Sequence, residues 1–274
     1  QSFAERVQLP GSLTAQGFGD DISTKTPFTI HKQGLPAWLN QSRFEPYRRP
    51  GNIKIPFALQ PEKYYLGAAW YQRAFEVSND WKDKRITLFL ERAHWETTVW
   101  VDGQRIGSHD SLAAPHEYVL PALGPGAHTL TIRVDNRLKY DVGKNAHAVT
   151  DHTQGNWNGI VGKLELRATE QVWIDDVQVF PDAAKKQAEV RVFIGNESGK
   201  PFQGNVGLSA ETAKHSTPSA SFPVDVPVGG KTFTFTFDMG DEALLWDEFN
   251  PNVYDLTLSL APLDERSVVK FGLR

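Results

Sequence analysis

Thr232-Phe233-Thr234-Phe235-Thr236-Phe237 alternates hydroxyl and aromatic side chains without a break. Side chains along an extended strand leave on opposite faces, so the phenylalanines share one face and the threonines the other. The Phe face is expected in a core, and the Thr face toward solvent or a neighbour. The same two-residue period recurs on both sides of this run. Gln171 to Phe180, Ala188 to Ile194 and Gly204 to Ala210 precede it, and Tyr254 to Leu260 and Ser267 to Phe271 follow. Ser216 to Ser221, with its Pro and Ala, reads as a loose loop. So many short strands in about a hundred residues predict an immunoglobulin-like β-sandwich, here without its cysteine pair.

Further upstream the pattern continues in a second set of strands. Trp70 to Val77 is one; Arg85 to Arg92 places Ile86, Leu88 and Leu90 on one face; Thr97 to Val101 runs into Asp102-Gly103. That dipeptide favours the positive φ angles of a tight hairpin turn, which sends Gln104 to Gly107 back along the strand. Gly124-Pro125-Gly126 starts another strand, His128 to Val134, in which Leu130, Ile132 and Val134 alternate with polar residues. Leu164 to Arg167 closes the set. The first sixty residues are broken by Pro10-Gly11, Pro36, Pro46 and Pro50-Gly51 and read as an ordered lead-in. The expectation is therefore an all-β chain of two domains, 1–168 and 169–274, with the boundary near Ala168.

Composition narrows the function. Of 274 residues 40% are hydrophobic and 23% charged, ordinary usage for a folded globular protein. A net charge of −4 with scattered Lys and Arg offers no field for a phosphate backbone, so no nucleic-acid partner is expected. No run approaches the roughly 20 apolar residues of a membrane helix, and no membrane insertion is expected. The chain has no cysteine, which removes disulfides, thiolate metal sites and thiol nucleophiles. Phosphate-binding glycine loops and a Gly-x-Ser-x-Gly elbow are also missing from the sequence.

The densest polar and aromatic stretch is Asp151-His152-Thr153-Gln154-Gly155-Asn156-Trp157-Asn158-Gly159-Ile160. A pyranose needs paired donors and acceptors for its hydroxyls and an apolar surface for its C–H face. Asp, Asn and His supply the first and an indole the second. Asp151, His152, Asn156, Trp157 and Asn158 are thus the candidate substrate-binding residues. The competing reading makes Asp and Asn turn builders and Trp157 a plug in the sandwich end. Trp38 also stands in a loop-like context suited to a ligand surface, whereas Trp100, between Val99 and Val101, and Trp173 are expected in the cores. Glycoside hydrolysis commonly uses two carboxyl groups. Asp20, Asp21, Asp102, Asp110 and Asp151 are available, yet no spacing selects a pair, and no catalytic residue is assigned. His109, His116, His147 and His152 lack the spacing of a metal-ligand pair, and neither a metal nor a cofactor is expected.

Three motifs bring a family into view: Gly67-Ala68-Ala69-Trp70-Tyr71-Gln72-Arg73, Arg85-Ile86-Thr87-Leu88-Phe89-Leu90-Glu91-Arg92 and Val99-Trp100-Val101-Asp102-Gly103-Gln104-Arg105-Ile106-Gly107. Pro125-Gly126-Ala127-His128, Arg133-Val134-Asp135-Asn136 and Asn156-Trp157-Asn158-Gly159-Ile160 follow in order. Together they resemble the sugar-binding domain of family 2 glycoside hydrolases, the group of β-galactosidases, β-glucuronidases and β-mannosidases. Trp246-Asp247-Glu248-Phe249-Asn250-Pro251 with Tyr254-Asp255-Leu256 is similar to the end of that family's immunoglobulin-like domain. The resemblance implies a galactose-binding-like jelly roll followed by an immunoglobulin-like sandwich. It further implies a β-glycoside as ligand, and as partner the (β/α)8 barrel of the parent chain, which carries the catalytic glutamates. Loops of the first domain reach the sugar pocket in this family, which implies such contacts for the Asp151 to Asn158 loop and a lesser one for Gly17 to Asp21. A periplasmic or cell-surface address fits the family and a mature start at Gln1. Two other readings stay open: a stand-alone carbohydrate-binding or adhesion module, and a purely structural sandwich pair.

Overall fold

The computed structural model describes residues 5–26, 40–54, 63–141 and 157–274. Over these the chain is all-β, with short 3-10 turns between strands, and no helix is long and apolar enough to cross a membrane. It divides into two compact units, Gln1–Lys82 with Ile86–Arg167, and Asp83–Arg85 with Ala168–Arg274.

In the first unit the strands are β1 (Gly11–Ser12), β2 (Asp20–Asp21), β3 (Lys63–Tyr64), β4 (Ala68–Val77), β5 (Arg85–His94), β6 (Glu96–Val101), β7 (Gln104–His109), β8 (His116–Val119), β9 (Gly126–Asp135) and β10 (Gly159–Thr169). One sheet runs β1-β10-β5-β8, another β4-β9-β6-β7, and β2-β3 make a small ribbon. Ile86, Leu88 and Leu90 from the first sheet and Val99, Val101, Ile132 and Val134 from the second share one core. The β6–β7 hairpin turns at Asp102 (φ 50°) and Gly103 (φ 82°), the positive-φ pair expected there. Asp102 also ties the turn to β9, accepting from the Thr129 amide at 2.7 Å and pairing with His128 Nδ1 at 2.7 Å.

The second unit holds β11 (Val172–Asp182), β12 (Gln187–Asn196), β13 (Phe202–Glu211), β14 (Ala220–Val226), β15 (Lys231–Asp238), β16 (Val253–Ala261) and β17 (Glu265–Gly272). Its sheets run β11-β12-β15 and β14-β13-β16-β17 and enclose Val190, Val192, Phe237, Leu256 and Leu258. Phe235 and Phe237 are buried in β15 while Thr232, Thr234 and Thr236 stay exposed, as the alternation requires.

Two expectations need correction. Trp100 is only half-buried: with Val99 and Val101 in the core, the two-residue period turns it to the opposite face of the sheet. Ser216 to Ser221 is not a loose loop. Thr217 is buried and accepts the Ala210 amide at 2.9 Å, and β14 starts at Ala220. Pro223 obscured that strand, yet β14 is the outermost strand of its sheet, where a missing N–H is tolerated.

Candidate functional site

Because neighbouring strands of the first unit are antiparallel, the starts of β4, β6, β8 and β10 gather at one end of the sandwich with the finishes of β5, β7 and β9. The connection from β9 to β10 both leaves from and returns to this end. Asp151, His152 and Asn156 belong to that connection and lie outside the described residues, as does Trp38. Trp157 and Asn158, where the chain re-enters β10, are described.

Asn158 is fully buried and its amide is fully engaged. Nδ2 donates to the carbonyls of Gly67 (3.1 Å) and Val134 (3.0 Å), and Oδ1 accepts from the Tyr71 hydroxyl at 3.0 Å. Burial pushes the Tyr71 phenol upward, which keeps it protonated and donating. Asn136 does the same at the end of β9, accepting the Gly67 amide at 2.8 Å and donating to Tyr65 O (2.7 Å) and Trp157 O (3.0 Å). Both asparagines therefore clamp strand ends, and Asn158, with no surface exposed, serves the fold rather than offering an atom to a ligand. Gly159 completes the clamp. At φ 152°, a Cβ on it would lie 2.3 Å from Gly11 O in β1, so only glycine fits after Asn158.

Trp157 is placed differently. It is half-buried, its ring stacks on His94 with centroids 4.8 Å apart, and its carbonyl accepts from His94 Nδ1 at 2.7 Å. That bond fixes the proton on Nδ1, since a carbonyl cannot donate. Next to it, the buried Trp95 donates its indole N–H to Asp110 O at 2.7 Å, and Tyr140, 56% exposed, donates its hydroxyl to Asp110 Oδ2 at 2.7 Å. The aromatic cluster thus runs from Trp157 through the buried His94 and Trp95 to Tyr140, with the Trp95 and Tyr140 rings 6.1 Å apart.

Charge surrounds this surface in matched pairs. Asp135, almost buried, accepts from Arg137 and pairs with Arg133, and these cations hold its carboxyl below the usual carboxylate range. Glu96 pairs with Arg133 at 3.1 Å and with Lys139. Below them His116 is buried; its Nε2 donates to Ser111 O at 2.8 Å, and its Nδ1 lies 2.6 Å from the Thr97 hydroxyl. Burial lowers the His116 pKa, so the ring is neutral and Nδ1 accepts from Thr97. Tyr118, pushed up to about 12 by burial, donates into the same Thr97 group.

The remaining aspartates are dispersed: Asp21 pairs with Lys63 in the β2–β3 ribbon and Asp102 builds its hairpin. Among the described residues no group of three or more His, Asp or Glu is arranged to hold a metal ion. The strand-end cluster is built to present aromatic faces and fixed polar groups, with its carboxylates engaged by cations or a phenol. His94, Trp95, Tyr140 and Arg137 went unmarked in the sequence reading. The clue was there: His94-Trp95 separates two apolar strands, and Tyr140 follows the polar close of β9.

Residues 172–274 match the family model described as glycosyl hydrolases family 2. A β-galactosidase of Thermoanaerobacter pseudethanolicus is 23% identical over 231 residues, covering 83% of this chain and 31% of the relative. A β-glucuronidase of Paenibacillus borealis is 25% identical over 175 residues, covering 53% of this chain and 29% of the relative. Among solved structures, a β-glucuronidase of Bacteroides uniformis superposes with a TM-score of 0.65 at 18% identity, over 81% of this chain and 29% of that one. The chain thus spans about a third of the length of the curated relatives it matches.

Proposed function

We propose that the chain, whose residues 172–274 match the family 2 glycosyl hydrolase model, is the non-catalytic front part of a longer retaining exo-β-glycosidase of that family, with a β-galactoside as the first substrate to test. The first unit shapes one wall of the sugar pocket. Hydrolysis is carried out by a (β/α)8 barrel further along the parent chain, against which these sandwiches dock. One observation supports this reading above others: Trp157 is stacked on His94 and fixed through its carbonyl by His94 and Asn136, at the end of the connection containing Asp151, His152 and Asn156. An indole stacked on His94, on a backbone whose carbonyl accepts two hydrogen bonds, loses little freedom when a sugar ring covers it. Trp157 would cover the C–H face, and the polar residues of the connection would meet the hydroxyls.

The 274-residue chain is expected to leave p-nitrophenyl β-galactoside unhydrolysed. In the parent enzyme Trp157→Ala should raise KM about tenfold with a smaller change in kcat, the pattern of a lost binding contact. Enzyme-like turnover by the isolated chain, or an unchanged KM in the variant, would overturn the proposal.

A further inference from the structure

Trp70 and Trp100 stand on the outer face of the β4-β9-β6-β7 sheet, opposite the buried Tyr71, Val99 and Val101. Register sets Arg133 between Trp70 and Thr98, and Thr131 between Gln72 and Trp100, so the indoles meet diagonally across β9. Their ring centroids are 5.1 Å apart with planes at 33°, and Trp70 keeps 47% of its surface in water. Exposed indole on a regular strand costs hydration free energy that a threonine there would avoid. Polar groups flank the pair: Gln72 donates to Thr131 Oγ1 at 3.1 Å, and the Thr98 and Ser108 hydroxyls lie 3.2 Å apart.

Beside this platform runs a cavity of about 720 Å³ lined by every residue from Ala68 to Arg73. β4 is the outermost strand of its sheet, and the cavity beside it is lined as well by Glu5, Arg6 and the core-side residues Leu13, Leu130, Ile132 and Leu164. Its volume falls in the range of small-ligand sites.

We infer that Trp70 and Trp100, with the cleft along the edge of β4, form a second glycan-binding surface, suited to an extended oligosaccharide of β-linked pyranoses. The two indoles cover the C–H faces of the sugar, and Gln72, Thr131 and the edge of β4 meet its hydroxyls. None of these platform residues takes part in the strand-end cluster. The choice of a glycan as ligand class rests on the proposed function; the location rests on the geometry of the sheet.

The test uses the whole chain in two formats: native gels containing soluble β-1,4-galactan, and NMR of the indole N–H groups during titration with β-1,4-linked galactopentaose. Retardation in the gel and shifts of the Trp70 and Trp100 indole signals are expected. Trp70→Ala and Trp100→Ala should each weaken binding about tenfold with an unchanged far-ultraviolet circular dichroism spectrum. Trp70→Phe, which keeps an aromatic face, should retain most of it, and Trp157→Ala should leave it intact. No binding by the wild-type chain overturns the inference, as does full binding by Trp70→Ala. Loss in Trp157→Ala alone sinks this second surface while leaving the pocket reading standing. Loss in the Trp70 variant, combined with an unchanged KM for Trp157→Ala in the parent enzyme, does the reverse.

Discussion

In the second unit Phe237, Met239, Leu256, Leu258 and Leu260 are completely buried, and Asn196, Thr217 and Glu265 are the polar residues buried beside that apolar core among the described residues. The first unit buries Thr97, His116, Asp135, Asn136 and Asn158 alongside its Leu and Val residues. Both are two-sheet sandwiches, yet the first devotes one end to a hydrogen-bonded lattice. Apolar packing is non-directional and fixes volume; a buried amide fixes the positions of the particular atoms it bonds. A unit that must hold Trp157 and the loop beginnings in place needs the second kind of constraint.

Removing the lattice should do the greatest damage. Asn158→Leu keeps roughly the same volume but takes the side-chain partner from the Val134 carbonyl and the Tyr71 hydroxyl and leaves the Gly67 carbonyl with the Asn136 amide alone. At about 1–3 kcal/mol for each of these two groups, a loss of about 2–6 kcal/mol is expected in the first unit. In the second unit, Phe237→Ala is expected to cost about 3–5 kcal/mol through lost burial and the cavity left behind. Urea titrations can separate the two, because of the eight tryptophans only Trp173 and Trp246 belong to the second unit. Indole fluorescence therefore follows mainly the first. If Asn158→Leu proved nearly neutral, the proposed difference between the units would collapse.

A pH experiment should sharpen the same contrast with a smaller effect. The folded state depresses the His116 pKa below the ordinary 6.5 by burying the ring. A group depressed on folding contributes its full stability above the unfolded value and loses it as pH falls through the folded one. The His116 contribution to the first unit should therefore fade as pH drops below about 6.5, against the opposite trend of His128, whose pKa is raised by its bond to Asp102. His116→Gln should flatten that part of the profile. In the second unit Glu265 moves the other way, since burial raises its carboxyl pKa. Its contribution is full below the ordinary value of 4.5 and is lost as pH rises through the folded pKa, so the contributions of His116 and Glu265 should respond to acid with opposite sign, read as the difference between the wild-type profile and that of His116→Gln or Glu265→Gln. Difference profiles of the same sign for the two variants would contradict the assignment.

The smallest effect is expected at Trp100. Trp100→Thr should cost the first unit only about 1 kcal/mol, since the residue lies outside the core. A loss comparable to that of Phe237→Ala would return Trp100 to the interior.

Much of the architecture was legible in one dimension. Period-two alternation marks β5, β9, β12, β15 and β16, since a strand with one face in a core must alternate. The strands that escaped notice are short or outermost: β8 has only four residues, and β14 carries a proline. The candidate site was legible in part. Composition drew attention to Trp157 and Asn158, but the two have different roles, one presenting a half-buried ring and the other clamping three strand ends.

Alternation by itself determined that this chain is all-β and which face of each main strand turns inward, because the strand period is local and needs no partner. Only the tertiary structure decided that Asn136 and Asn158 close a lattice, that His94 backs Trp157, and that Trp70 meets Trp100 across β9. Those pairings join residues from 21 to 91 positions apart. Which residues become neighbours over such separations is set by sheet order and register, which no local pattern in the chain encodes.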